Sequence, residues 1–277
     1  MINSKISPIN YFLVLSTLIF FSLANAGPWR QKVGAGSIGM AASTLSAPKI
    51  IDAQGKTHDY AIQHNAINLF GEVGILKNFA LGFSFTPFHS VTSDSFDTQG
   101  WSNLDLTLNQ YLGHIQGSVF SLAYSSSLPI GKENPSSAPP FLYSLFGPKS
   151  WSLGLMPEWG MGQGANWYKA GLGFRYRSDD YTSQARYELM GGRNFGEKKR
   201  FGLRLAFSGC IPLDAKSNGK PSDQEQYFGI QIAADWKIKP NWSVFFQGDT
   251  MTPPPKEEPL GARLNLGLIY KFTGIGI

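Results

Sequence analysis

The sequence predicts an all-β fold, a transmembrane antiparallel up-and-down β-barrel of about 12 strands. Three observations predict it. Segments of roughly ten residues alternate apolar and polar side chains along most of the chain. Aromatic residues make up 14% and glycines number 31 in 277 residues, with only 16% charged, which suits many short strands joined by tight turns better than a helical protein. The connections between the alternating segments are mostly short and long by turns, as in barrels with turns on one side of a membrane and loops on the other.

The clearest segment is the last, GARLNLGLIYKF, residues 261 to 272. Leu264, Leu266, Leu268, Tyr270 and Phe272 share one parity, and Arg263, Asn265, Gly267 and Lys271 the other. One face is therefore apolar and the other polar. It resembles the closing strand of bacterial outer-membrane barrels, which ends in an aromatic residue, although here Thr273 to Ile277 follow Phe272. A soluble sandwich shows the same alternation but does not need apolar residues at nearly every outward position of every strand.

The N-terminus reads as a secretory signal peptide. Met1 to Ala26 carries Lys5, an apolar run from Tyr11 to Leu23, and the small-residue site Ala24-Asn25-Ala26, which places cleavage between Ala26 and Gly27. The apolar run is shorter than the roughly 20 residues that a spanning helix needs. Residues 27–277 then form a single barrel domain. Cys210 is the only cysteine, so neither a disulfide framework nor an N-terminal lipid anchor is expected.

In chain order, the first strand covers Lys32 to Thr44. Its Gly34-Ala35-Gly36-Ser37-Ile38-Gly39 matches a dinucleotide fingerprint in letters only, since a signal peptide precedes it and a polar loop follows. The second covers Asn65 to Ile75, with Ile67, Leu69, Val73 and Ile75 opposed to Asn68, Glu72 and Gly74. Lys77-Asn78 turns into the third, where Phe79, Leu81, Phe83 and Phe85 share a face. A polar loop is expected from His89 to Gln99. Trp101 to Leu112 and the segment of Phe120, Leu122 and Tyr124 follow, with a turn at Gly113 to Gln116 between them. Gly131 to Lys149 is a long loop rich in Pro and Ser. Trp151, Leu153, Leu155 and Trp159 mark the sixth strand, and Gly160 to Gly164 turns the chain.

In the middle hairpin Tyr168, Ala170, Leu172, Phe174 and Tyr176 face one way, and Lys169, Gly171, Gly173, Arg175 and Arg177 the other. A two-residue turn at Asp179-Asp180 pairs Ser178 with Tyr181. It thereby sets Gly173 opposite Arg186 and Gly171 opposite Glu188, small residues making room for large ones, with Lys169 diagonal to Glu188 as an ion-pair partner. Phe201, Leu203, Leu205 and Phe207, then Phe228, Ile230, Ile232 and Trp236, then Trp242, Val244 and Phe246 supply further apolar faces. The loop Thr252 to Gly261, with its three prolines, is an extended surface segment.

Several short segments together resemble the family of outer-membrane barrels named after the meta pathway of phenol degradation. They are Phe70-Gly71-Glu72-Val73-Gly74-Ile75, Gly100 to Leu106 with Asp105, Ser127-Leu128-Pro129-Ile130-Gly131, Tyr187-Glu188 and Leu266 to Phe272. The resemblance covers most of the mature chain. It implies an outer-membrane channel or transporter for small, organic or aromatic, solutes, and it brings no catalytic residues.

The expected inward charges, as pore-lining candidates, are Glu72, Asp105, Glu158, Lys169, Arg175, Arg186, Glu188, Arg204, Asp235 and Arg263. Opposed acidic and basic walls put a transverse field across a narrow lumen, or pair off and fill it. Aromatic belts at the lipid interface are expected from Trp151, Trp159, Tyr168, Tyr176, Trp236, Tyr270 and Phe272. The expected partners are outer-membrane lipid, a small-molecule solute and the outer-membrane assembly machinery. The formal charge of +5 is dispersed rather than clustered, which argues against nucleic acid.

Two other classes compete. A surface-adhesive or structural barrel would act through the loops Gly131 to Lys149 and Asp214 to Glu225. A lipid-modifying barrel enzyme would need a Ser activated by a His. His89-Ser90 is the nearest approach, yet neighbours on an extended chain point apart. His58, His64, His89 and His114 are unclustered, so neither an enzyme, a cofactor nor a metal site is expected.

Overall fold

The computed structural model describes residues 29–51, 57–93, 96–131, 150–178, 182–196, 198–213, 227–252 and 259–274. Thirteen strands are assigned in chain order: β1 (Gly36–Ile51), β2 (Thr57–Leu76), β3 (Phe79–Ser93), β4 (Phe96–Gly100), β5 (Leu104–Ile115), β6 (Ser118–Leu128), β7 (Ser152–Gln163), β8 (Asn166–Arg177), β9 (Gln184–Phe195), β10 (Phe201–Pro212), β11 (Tyr227–Lys239), β12 (Trp242–Thr252) and β13 (Pro259–Phe272). Each pairs antiparallel with its neighbour. The ring closes because β1 pairs with β13 as well as with β2.

β4 and β5 occupy one place in that ring. β4 pairs with the outer part of β3, His89 to Ser93, and β5 with its inner part, Phe79 to Ser84. The gap at Trp101–Asn103 is stitched by the Ser102 backbone N–H donating to Thr86 O and the Thr86 N–H to Ser102 Oγ, both at 2.9 Å. The closed barrel therefore has twelve strands. His89 to Gln99, expected as a loop, is strand for most of its length. Its polar side chains hid the pattern because a bulge reverses the parity of β3. Ile67 pairs with Phe88 but Leu69 with Phe85, so Pro87, which has no N–H for the ladder, sits where the ladder is broken.

The other boundaries differ by a few residues. The chain turns at Gly164-Ala165 rather than across Gly160 to Gly164, and at Gln116-Gly117 rather than Gly113 to Gln116. Both Gly164 and Gly117 have positive φ, 65° and 81°, as tight turns require. β13 begins at Pro259, inside the segment expected as loop. Asp179 and Asp180 lie outside the described residues, but the register they imply is observed: Gly173 faces Arg186 and Gly171 faces Glu188.

The barrel is inverted in polarity relative to a soluble protein. Leu172 is 68% exposed, Leu266 62% and Ile232 61%, whereas Asn265 is 1% and Arg177 0%. The apolar parity of each strand points outward and the polar parity inward, the arrangement of a barrel in lipid. The interior apolar cluster lies over the closing seam. Phe70 on β2 and Phe245 on β12 reach across β1 and β13 to meet at 6.1 Å between ring centroids, 62° apart in plane, with Ala41 and Ile269 beneath. Gly39 pairs with Phe70 and Gly267 with Phe245, so each ring lies over bare backbone.

A methyl group at Gly267 would fall against the Phe245 ring and 2.6 Å from Met40 O. Gly267→Ala is thus expected to destabilise the barrel by about 1–3 kcal/mol, the usual cost of overpacking. Unfolding in denaturant checks this. Leu264, on the outward parity of the same strand, serves as a Leu264→Ala control that leaves the seam contact intact.

Candidate functional site in the barrel interior

Residues of β7, β8 and β9 build the best-defined polar group. Glu158 and Glu188 face one another across Gly171, and Lys169 lies diagonal to both. Its Nζ is 2.8 Å from Glu158 Oε1 and 3.1 Å from Glu188 Oε2. Ser121 Oγ on β6 donates to Glu158 Oε2 at 3.0 Å. The sequence-derived pair is therefore present, with a second carboxylate added to it. The room at Gly171 and Gly173 is filled differently from expectation. A Cβ at Gly173 would lie 2.7 Å from Met156 Cβ, and one at Gly171 3.1 Å from Met156 Sδ, so the glycines accommodate Met156 rather than Arg186 and Glu188.

Above this group, Asp105 on β5 accepts from Ser127 of β6 and lies in the field of Arg175 and Arg186. Arg175 Nε donates to Ser152 Oγ at 2.9 Å, and Arg177 Nε to Thr182 O at 2.8 Å. Toward β11, Arg204 interacts with Asp235 and Glu188. The Asp235 carboxylate lies over Gly202, where an added Cβ would be 2.5 Å from Oδ1. Eight of the ten expected inward charges thus fall into two groups between β5 and β11: Asp105 with Arg175 and Arg186, and Glu158, Lys169, Glu188, Arg204 and Asp235 together.

Glu72 and Arg263 come from other strands, β2 and β13. Glu72 is buried on β2 opposite Gly82. Arg263 on β13 is buried beside Asp249 of β12, with which it pairs in register and in charge. Asp249 Oδ2 accepts from Asn265 Nδ2 at 3.1 Å and Gln247 Nε2 at 3.4 Å. His64 on β2 and His89 on β3 are also buried, with ring nitrogens 3.4 Å apart. The sequence reading of His64 and His89 as unclustered is thus corrected, while Asp249 escaped that reading although a signal for it was there. The alternation of Val244 and Phe246 places Asp249 on the inward parity once β12 is extended to Thr252. Among the described residues no group of three His, Cys, Asp or Glu is arranged to hold a metal ion.

The expected belt residues lie near both ends of the strands. Trp151 and Tyr176 sit near the long connections with centroids 5.5 Å apart, and Tyr270 and Phe272 near the short turns with centroids 6.5 Å apart. Tyr168 and Trp236 are exposed near the short turns, and Trp159 is half-buried. Trp242 joins Tyr270 at 4.8 Å. Ala26 and Gly27 lie outside the described residues.

No protein-family model matches the sequence, and no curated protein matches it. Solved structures do. The crystal structure of the COG4313 outer membrane channel from Pseudomonas putida F1 superposes with a TM-score of 0.68 at 15% identity, over 87% of this chain and 97% of that one. The NanC porin matches with a TM-score of 0.55 at 7% identity, over 85% and 100%. The KdgM porin in complex with disordered oligogalacturonate matches with 0.50 at 8% identity, over 86% and 99%. Identities this low establish architecture, and the architecture is shared over nearly the full length of each neighbour. The chain therefore has the closed, twelve-stranded fold of outer-membrane channel barrels.

Proposed function

We propose that the protein is an outer-membrane channel for small solutes, organic or aromatic ones in particular, exported through a signal peptide cleaved after Ala26. The observation that carries the proposal is the balance of charge on the inner face. Glu72, Asp105, Glu158, Glu188, Asp235 and Asp249 face inward with Lys169, Arg175, Arg177, Arg186, Arg204 and Arg263. A barrel that only filled its interior would save the desolvation cost of these ions by using apolar side chains. Retained opposite charges instead make a transverse field suited to orienting a polar or dipolar solute in transit. The fold shared with solved channels and porins supports the same reading.

Arg186, Glu188, Arg204 and Asp235 are half-buried while Arg175 and Glu158 are buried, so the charged side chains of β9 to β11 are the less enclosed ones. Twelve strands lie between the eight that side chains can fill and the sixteen that leave a wide pore. The strand number does not by itself establish conduction, and a pore of this size is expected to conduct in small, discrete steps. The test is single-channel recording of the chain from Gly27 to Ile277 in a planar bilayer, with and without Arg175→Glu and Arg186→Glu. Discrete steps are expected, with selectivity moving toward cations on reversal and more so at Arg186. Correctly folded barrels that carry no current, or whose selectivity ignores both reversals, would overturn the proposal. Solute preference is then read by adding neutral aromatic and zwitterionic compounds and scoring current block.

A further inference from the structure

We infer that the rim formed by the short turns is a docking surface for the headgroups of anionic phospholipids. The inference rests on the barrel spanning a bilayer and not on its conducting. Four backbone hydrogen bonds put the turns on one level: Asn78 O accepts from Tyr111, Ala165 O from Asn194, Arg200 O from Lys237 and Asn241 O from Lys271, at 2.7 to 2.9 Å. Around that rim Lys77, Lys198, Lys199, Arg200 and Lys239 are all exposed. The short connections between strands hold a single acidic residue, Glu197. In sequence, the other connections have the reverse balance. In connections 52–56, 94–95, 129–151, 178–183, 213–226 and 253–258, acidic residues outnumber lysines ten to six and there is no arginine.

The basic rim is continuous with lipid-facing aromatic surface, which selects lipid as the occupant. Phe195 and Phe201 pair at 5.9 Å, and Trp242 lies against Tyr270 with the rings tilted by 45°, at the strand ends that carry these turns. The exposed Arg193 guanidinium lies 5.3 Å from the Phe195 ring centroid, on the outward parity of β9. Aromatic rings at the interface with cations just beyond them hold apolar bodies in the acyl region and charges at phosphate height. A soluble acidic partner would be met by the cations but would not account for the girdle that borders them. Lys199 also donates from Nζ to Gly164 O at 3.2 Å, which ties one cation of the β9–β10 turn to the neighbouring turn and concentrates positive charge between them.

Each lysine or arginine at an anionic membrane surface strengthens attachment by about fivefold. The experiment is electron spin resonance of spin-labelled phosphatidylglycerol and spin-labelled phosphatidylcholine with the full barrel in phosphatidylcholine vesicles. Its readout is the motionally restricted fraction of each label. The wild type is expected to prefer phosphatidylglycerol several-fold at low salt, with the preference falling toward one at high salt. Lys198→Gln/Lys199→Gln/Arg200→Gln should remove most of it, and Lys77→Gln/Lys239→Gln, in two other turns, should weaken it independently of how the first variant folds. Arg175→Gln, inside the barrel, should leave it unchanged. Equal restriction of the two labels by the wild type, as a protein partner for this rim would give, overturns the inference. So does a preference that both rim variants retain.

Discussion

Replacing Leu266 by arginine is expected to abolish stable insertion. Leu266 is 62% exposed on β13, paired with Ala42 of β1 and Phe246 of β12, so it stands on the outer face of the closing seam. An arginine on the lipid face of such a barrel costs about 2–4 kcal/mol at the bilayer midplane, on the order of 30- to 1,000-fold in the folded population. The inward neighbour Asn265 is a poor control. It is 1% exposed and donates to Asp249, so arginine there would be overpacked rather than misplaced. Ser208 is the better one, half-buried on the inward parity of β10, opposite Glu188 and Gly229. Ser208→Arg is expected to assemble in vesicles as a heat-modifiable band while Leu266→Arg does not. Equal assembly of the two would reverse the assignment of faces.

That contrast depends on the feature of the fold most legible in the sequence. A period of two with large apolar residues on one parity needs no knowledge of neighbours, so strand count and faces were readable wherever parity ran unbroken, as in β8, β10 and β13. Legibility failed where parity broke. The bulge at Pro87 shifts β3 by one residue against β2, which disguised His89 to Ser93 as a loop and left the His64–His89 contact unseen. Pairing across a hairpin was also readable, because a turn fixes register. The register of β8 on β9 followed from two aspartates, and with it the Lys169–Glu188 pair. Contacts reaching beyond the adjacent strand had no such signal. Glu158 enters the same ion cluster from β7, and Phe70 meets Phe245 across two intervening strands. Both depend on closure and on side-chain reach, which periodicity does not encode.

The Lys169 cluster sets the second large expectation. Lys169 and Glu158 each have side chains 2% exposed and Glu188 12%, so the three charges are nearly out of contact with water. Lys169→Met would leave two carboxylates facing one another across Gly171, and removing one partner from a buried ion pair costs about 3–5 kcal/mol. The loss should be unequal between the two acids. Glu188 keeps Arg204 within its field, while the hydrogen bonds of Glu158 among the described residues come from Lys169 and Ser121. Glu158→Gln in the Lys169→Met background is therefore expected to recover most of the lost stability, because an amide can accept from Ser121 without charge. Glu188→Gln in the same background should recover less and leave Arg204 with Asp235 as its remaining acid. Denaturant unfolding of the three variants beside the wild type in vesicles decides the matter. If Glu188→Gln rescues better than Glu158→Gln, the dominant strain lies on the β9 side and the cluster is held together by Arg204 rather than by Lys169. Such a result would also move the search for solute contacts from β8 toward β10 and β11, where the half-buried Arg204 and Asp235 stand.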